Sequence, residues 1–315
     1  MTTLPLPSAD LIAAAAKSID PVFTGSPLIS QTSADDALDL RLFAKVETLN
    51  PIRCFKGRGA DAWMSAQQGT GRTFVAASAG NFGQALAYAA ASRGHRTVIF
   101  AARSANRRKI DAMRRLGAEV ILEGDDFDMA KAAAREFAAT QDLSFIEDGA
   151  HPAIAEGAGT IALEITETLK GRGIAPDAVI APLGNGALLT GLGAWLRAAL
   201  PGCRVVGVVA AGARAMKLSW ETGRLETTAA AATCADGIAV RDPVPYALEC
   251  MRHSVDAVHT VDEEAIHAAM AFCRDHYGLV VEPAGAAGIA ALLQHPDLFA
   301  GKTVATVLCG GNVER

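Results

Sequence analysis

The stretch Cys54-Phe55-Lys56-Gly57-Arg58-Gly59-Ala60 puts one lysine behind an aromatic ring and ahead of glycines that open a helix. A lysine desolvated beside an aromatic and a helix N-terminus has its ammonium disfavoured, so the neutral amine that attacks carbonyls becomes accessible near neutral pH. Lys56 is on that basis the candidate to hold an aldehyde cofactor as a Schiff base. A solvated lysine in the first turn of a helix is the plainer reading of the segment taken alone.

Two further segments bear on the choice. Ala77-Ser78-Ala79-Gly80-Asn81-Phe82-Gly83-Gln84 follows the apolar run Thr73 to Ala76 and precedes a helical pattern from Ala85 to Ser92. The first N–H groups of such a helix lack intrahelical partners, so the turn attracts a carboxylate, with Ser78 and Asn81 adding side-chain donors. An ordinary N-cap would use the same residue types. Pro182-Leu183-Gly184-Asn185-Gly186-Ala187-Leu188 joins a buried strand, Ala178 to Ala181, to a helix, Leu188 to Leu200. Glycines there let backbone N–H groups close around a phosphate, although a tight connection without ligand explains a lone glycine-rich turn. An imine-forming lysine, a carboxylate turn and a phosphate turn together describe a site for pyridoxal 5′-phosphate and an amino acid.

The chain resembles the fold-type II pyridoxal-phosphate enzymes, and most closely the serine/threonine dehydratases. The resemblance rests on Cys54 to Ala60, Ser78 to Asn81, the glycine loop Gly184 to Leu188, Ala235-Asp236-Gly237, Glu282-Pro283 and Cys309-Gly310-Gly311-Asn312, in the family's order. It implies a tryptophan synthase β-like α/β fold, with two open, twisted, mainly parallel sheets and helices on both faces. It also implies a small substrate-carboxylate lobe of residues 60–148 inserted into a large cofactor-binding lobe of residues 1–59 and 149–315, with the cofactor in the crevice between them.

By the same resemblance, Lys56 is the attachment point and the base, Phe55 lies near a face of the cofactor ring, and Asn81 reaches its 3-hydroxyl. Gly184, Asn185, Gly186, Ala187 and Leu188 surround the phosphate, Glu282 lies near the ring, and Cys309 faces the pyridine nitrogen. Ser78, Ala79, Gly80, Asn81 and Phe82 are implied to hold the substrate carboxylate. A neutral thiol at the ring nitrogen does not keep it protonated as a carboxylate would, which weakens the electron sink and favours prompt loss of a β leaving group. The implied reaction is β-elimination of water from a 3-hydroxy amino acid, giving a 2-oxo acid and ammonia. A cysteine synthase-like β-replacement enzyme would share Lys56 and the loop. A non-catalytic cofactor carrier, or a nucleotide-binding regulator, would need the loop alone.

Departures from the family narrow the reading. Gly184-Asn185-Gly186-Ala187 stands where many relatives have four glycines, so positions 185 and 187 must avoid glycine-only backbone. Ala79 replaces the serine that serves as the opposite-face acid/base in serine racemases, which demotes racemisation. Phe82 stands where relatives often have histidine and suits a methyl or phenyl β-substituent better than a second carboxylate. Ala210 to Arg214 lacks the carboxylates of metal-activated relatives, so no divalent-ion site is expected there. Only Asn312 to Arg315 follow the final glycine pair, so the regulatory domain of biosynthetic threonine dehydratases, and isoleucine control with it, is not expected.

The elements that position these residues follow from length and pattern. At 315 residues, half of them hydrophobic, the chain can bury the shared core of a two-lobed α/β protein. A formal charge of −5 gives no reason to expect nucleic acid, and the basic cluster Arg107, Arg108, Lys109, Arg114 and Arg115 reads as a solvated helix face. Met1 to Asp10 lacks the pattern of a leader, and no alanine-rich run is apolar enough to span a bilayer, so a cytoplasmic protein with a small-molecule substrate is expected. The resemblance adds a homodimer. Six cysteines without CxxC or histidine spacing indicate neither disulfides nor zinc.

Short β-branched runs at Thr97 to Phe100, Glu119 to Leu122, Ala178 to Ala181, Arg204 to Val209 and Thr303 to Leu308 predict strands. Helices are predicted at Ala85 to Ser92, Asn106 to Leu116, Asp126 to Thr140, Thr160 to Leu169, Leu188 to Leu200, Glu263 to His276 and Gly285 to Gln294, with Thr227 to Thr233 a loop. Such alternation implies parallel sheets covered on both faces.

Overall fold

The computed structural model describes residues 4–313. Met1 to Thr3, Glu314 and Arg315, which belong to the segments read for a leader and for a further domain, lie outside the described residues. The strands in chain order are β1 Leu28–Ile29, β2 Arg41–Val46, β3 Thr73–Ala77, β4 Arg96–Ala101, β5 Glu119–Leu122, β6 Ser144–Phe145, β7 Ala178–Pro182, β8 Arg204–Ala210, β9 Ala257–Val261 and β10 Thr303–Leu308. They form a six-stranded sheet in the order β1-β2-β10-β7-β8-β9 and a four-stranded sheet in the order β5-β4-β3-β6. Every pairing is parallel except that of β1 with β2.

Both sheets are covered on both faces, which is why their central strands read as continuous apolar runs. Along β10, Val304 and Leu308 join a core containing helices Glu263–Tyr277 and Pro283–Gln294. Ala305 and Val307 face the other way, toward helices Pro152–Lys170, Ala187–Ala199 and Pro245–Ser254. In the smaller sheet Phe74, Ala76 and Ile99 pack with helices Lys56–Ser65, Asn81–Ser92 and Arg107–Arg115, while Val75, Val98 and Phe100 pack with helix Phe127–Thr140.

The α/β class and the paired, mainly parallel sheets match the sequence reading. The largest departure within the predicted elements is the helix expected from Thr160, which begins at Pro152. Glycines at 157 and 159 lower the helical propensity of its first turns. They are there because a Cβ at Gly157 would come within 2.5 Å of the Arg58 carbonyl, and one at Gly159 within 2.8 Å of the Gly191 carbonyl. Close packing of three helices overrides the local preference. Strands β1, β2, β6 and β9 were not legible: β1 and β6 are two residues each, β2 carries the charged Lys45 in its buried run, and His259 and Thr260 interrupt β9.

Candidate functional site

Lys56 is the first residue of its helix and Phe55 the residue that caps it. The chain before it is tied to the end of β10, because the Phe55 N–H donates to the Cys309 carbonyl at 2.9 Å and Cys54 bridges Gly310. Asn50 shapes the approach by accepting from the N–H groups of Ile52 and Cys54 and donating to the carbonyls of Glu47 and Cys54. The lysine is thus delivered to the carboxyl ends of the strands, where ligands of open α/β sheets bind.

The Ser78 turn follows β3. The Ser78 hydroxyl accepts from the N–H groups of Gly80 (3.2 Å) and Gly83 (2.9 Å), so it satisfies one first-turn amide of the helix from two residues before its N-cap, Gly80. The N–H groups of Ala79, Asn81 and Phe82 find no protein acceptor among the described residues and remain available to an anion. Asn81 joins the two sheets: its Nδ2 donates to Glu282 Oε1 at 2.6 Å, and its Oδ1 accepts from Asn312 Nδ2 at 2.8 Å. Glu282 also accepts from the Asn312 N–H at 3.1 Å. Burial first, and then Asp236, push the Glu282 carboxyl above the ordinary carboxylate range, against the Lys109 charge and the bonds from Asn81 and Asn312.

The glycine turn after β7 leads into helix Ala187–Ala199. Its N–H groups from Gly184 to Leu188 have no protein acceptor among the described residues. Only Gly186 is left-handed there, with φ of 94°, so Asn185 and Ala187 occupy backbone that side chains tolerate. A Cβ at Gly184 would lie 2.7 Å from the Gly237 carbonyl. Unpaired amides at a helix N-terminus, with Gly184 keeping the walls close, fit a phosphate. Cys309 fits a neutral contact to a ring nitrogen: burial holds its thiol well above the usual range, and Sγ donates to the Val307 carbonyl at 3.3 Å.

The predicted residues meet in two adjoining cavities. One of about 40 Å3 is lined by Phe55, Lys56, Asn81, Gly184, Asn185, Gly186, Ala187, Leu188, Glu282 and Cys309. The other, about 290 Å3, is lined by Lys56, Ser78, Ala79, Gly80, Asn81 and Phe82, and also by Phe127, Phe145, Lys109, Lys131, Asp148 and Asp236. Lys56, Asn81, Asp148, Asn185 and Gly237 line both.

Two expectations need correction. Burial does work against the Lys56 ammonium, as the sequence reading supposed, but Asp148 reverses the outcome. Its Oδ2 lies 2.6 Å from Nζ, and with Cys54 and Glu282 it raises the Lys56 pKa above the ordinary lysine value. The second concerns Lys109, which is not part of a solvated face: it lines the larger cavity and pairs with Asp236. Neither Asp148 nor Lys109 was picked out by motif. The available signals were Asp148's place just after a short strand, β6, and Lys109's place four residues before the buried Met113.

A lysine at a helix N-terminus, a turn of unpaired amides after a strand of each of two mainly parallel sheets and a buried thiol at the end of β10 are the arrangement of a fold-type II pyridoxal-phosphate enzyme. Residues 19–310 match the profile of the family described as pyridoxal-phosphate dependent enzyme. The chain is 37% identical over 277 residues to the L-threonine ammonia-lyase of Thermotoga maritima, covering 87% of this chain and 67% of that protein. It is 35% identical over 293 residues to the L-threonine ammonia-lyase of Geobacter sulfurreducens, covering 91% and 71%. The crystal structure of a threonine deaminase from T.th. superposes with a TM-score of 0.93 at 32% identity, covering 98% of this chain and 99% of that one. Maize serine racemase superposes with a TM-score of 0.90 at 26% identity, covering 98% and 95%. The chain belongs to the pyridoxal-phosphate dependent enzyme family, and pyridoxal 5′-phosphate is its cofactor. Within that family it is a lyase of the dehydratase group.

Proposed function

We propose that this lyase removes water from a 3-hydroxy amino acid, namely threonine, serine or a bulkier analogue such as phenylserine, to give a 2-oxo acid and ammonia. The observation that carries the reading is the convergence of Lys56, the Ser78 turn and the Gly184 turn on adjoining cavities. Bound pyridoxal phosphate supplies an electron sink conjugated to the substrate Cα. The amides from Gly184 to Leu188 hold its phosphate, Phe55 and Glu282 lie against the ring, Asn81 meets its 3-hydroxyl, and Cys309 faces its nitrogen without offering a charge. Lys56 Nζ is the attachment point and, when free, the base that takes the Cα proton. The amides of Ala79, Asn81 and Phe82 fix the substrate carboxylate and so orient the breaking C–H bond.

Phe82, Phe127 and Phe145 line the larger cavity, which supports an apolar β-substituent. Its lysines do not favour a second carboxylate, because Lys109 pairs with Asp236 and Lys131 with Glu147. Residues 60–148 act as the lobe that closes on residues 1–59 and 149–315, expelling water as the site assembles. Among the described residues no helix is long and apolar enough to cross a membrane. The reading includes a cytoplasmic homodimer, as the family resemblance implies.

The test is a panel of 3-hydroxy amino acids assayed for ammonia and 2-oxo acid, with Lys56→Ala alongside. The native enzyme is expected to release both products, and the variant to lose their formation by roughly two decades or more. Products appearing only when a thiol is added would favour β-replacement, and undiminished turnover by the variant would remove Lys56 from the reaction. Chiral chromatography is expected to show little D-amino acid, given Ala79. Comparable racemisation and elimination would contradict that.

A further inference from the structure

Among the described residues Lys56 Nζ donates to a single side chain, the carboxylate of Asp148, at 2.6 Å. Asp148 is 8% exposed and lies in both cavities. The other ionisable groups facing this pair are committed elsewhere. Glu282 accepts from Asn81 and Asn312, Lys109 pairs with Asp236, and Lys131 pairs with Glu147. The buried thiols of Cys54 and Cys309 are held protonated. When Lys56 forms a covalent bond to an aldehyde, its ammonium ceases to exist and the Asp148 carboxylate loses its only side-chain partner among the described residues. A buried carboxylate in that position must take a proton or another cation.

We propose that Asp148 is the positioning residue and proton acceptor for Lys56: it holds the ammonium aimed into the cavity, then takes the proton that must leave before the amine can attack. The proposal rests on Lys56 as the attachment residue. One proton passes from Nζ to Asp148 Oδ2, and the freed lone pair attacks the aldehyde carbon. The carbon–nitrogen double bond forms as the carbonyl oxygen leaves with the two remaining Nζ protons as water, leaving one proton on Asp148. No oxidant or further reactant is needed. The same carboxylate can return its proton when Lys56 is released, so the charge stays balanced in both states. Burial disfavours the ammonium, and Asp148 together with Cys54 and Glu282 raises Lys56 above the ordinary lysine value, so the proton rests on Nζ until the aldehyde arrives.

The cofactor-free protein tests this without reference to turnover. Acylation of Lys56 by a small reagent, followed by peptide mass spectrometry across a pH series, reads the fraction of neutral amine at that position. In Asp148→Asn the amide cannot balance the ammonium in a buried site, so the labelling profile is expected to move to lower pH, with labelling at pH 7 on the order of tenfold faster than in the native chain. Asp148→Ser removes the same charge with less volume and is expected to give the same shift if the asparagine variant folds poorly. Borohydride fixation after adding cofactor is read in parallel. A profile that stays where it was in both variants, while borohydride still fixes the adduct on Lys56, overturns the proposal and leaves the attachment reading intact. A native protein with no adduct on Lys56 overturns both.

Discussion

Two groups of charged side chains flank Lys56, built from the same residue types but under opposite conditions. Behind its helix, Arg58 is fully buried and donates to Glu47, Glu164, Thr160 and Ser26, while Lys45 donates to Glu164 at 2.5 Å and to the Ser26 carbonyl at 2.6 Å. At the cleft mouth, Lys109 pairs with Asp236 and Arg241 with Asp128, and Asp236 is 58% exposed. The inner group is charge-balanced, and every nitrogen of its guanidinium is bonded. It fixes the turn of helix that carries Lys56. The outer pairs span the two sheets, since Lys109 belongs to the helix packed on the smaller sheet and Asp236 to the short 3-10 helix Asp236–Ile238 beside the larger. Water screens them, so they can break and reform as the cleft works. Burial, more than the presence of charge, separates a foundation from a latch.

Breaking the inner group is expected to have the largest effect. Arg58→Ala strips Glu47 of its charged partner and leaves the buried Lys45 alone to balance two carboxylates, and urea unfolding is expected to show a loss of about 3–5 kcal/mol. A loss below about 1 kcal/mol would place this group with the surface pairs and dissolve the contrast.

Acid titration comes next. Burial alone would raise the Glu164 carboxyl, but the Arg58 and Lys45 charges and hydrogen bonds bring it down from the ordinary 4.5 to about 2. A folded value below the unfolded one stabilises the protein above the unfolded pKa, and that contribution disappears as pH falls from about 4.5 toward 2. It amounts to on the order of 3 kcal/mol. Comparing the acid limb of the native stability curve with that of Glu164→Gln checks this, since the variant should lack that part of the pH dependence.

The outer pair sharpens the comparison from the other side. Lys109→Ala is expected to change unfolding free energy by less than about 1 kcal/mol. Its effect should appear in KM, because the lysine lines the substrate cavity and holds Asp236 across it. A stability loss as large as that of Arg58→Ala would contradict its role as a latch.

The same division between local and distant causes explains what was readable from sequence. Strands β5 and β10 coincide with their β-branched runs, and the Ser78 and Gly184 turns could be found because a strand, a polar or glycine turn and a helix follow one another in the chain. Local pattern also located Lys56 at the start of its helix. It could not supply the charge state of that lysine, because the partner that sets it lies 92 residues away in the chain, beyond β6. Lys109 was hidden for a related reason. Its neighbours Arg107, Arg108, Arg114 and Arg115 are exposed, and only the helical phase shared with Met113 turns it inward.

The most direct test of the account is borohydride reduction of the cofactor-loaded enzyme, followed by peptide mapping. The account requires the reduced cofactor to appear on the peptide containing Lys56 and on no other lysine. A protein that binds pyridoxal 5′-phosphate yet carries the fixed adduct elsewhere, or yields none, contradicts it.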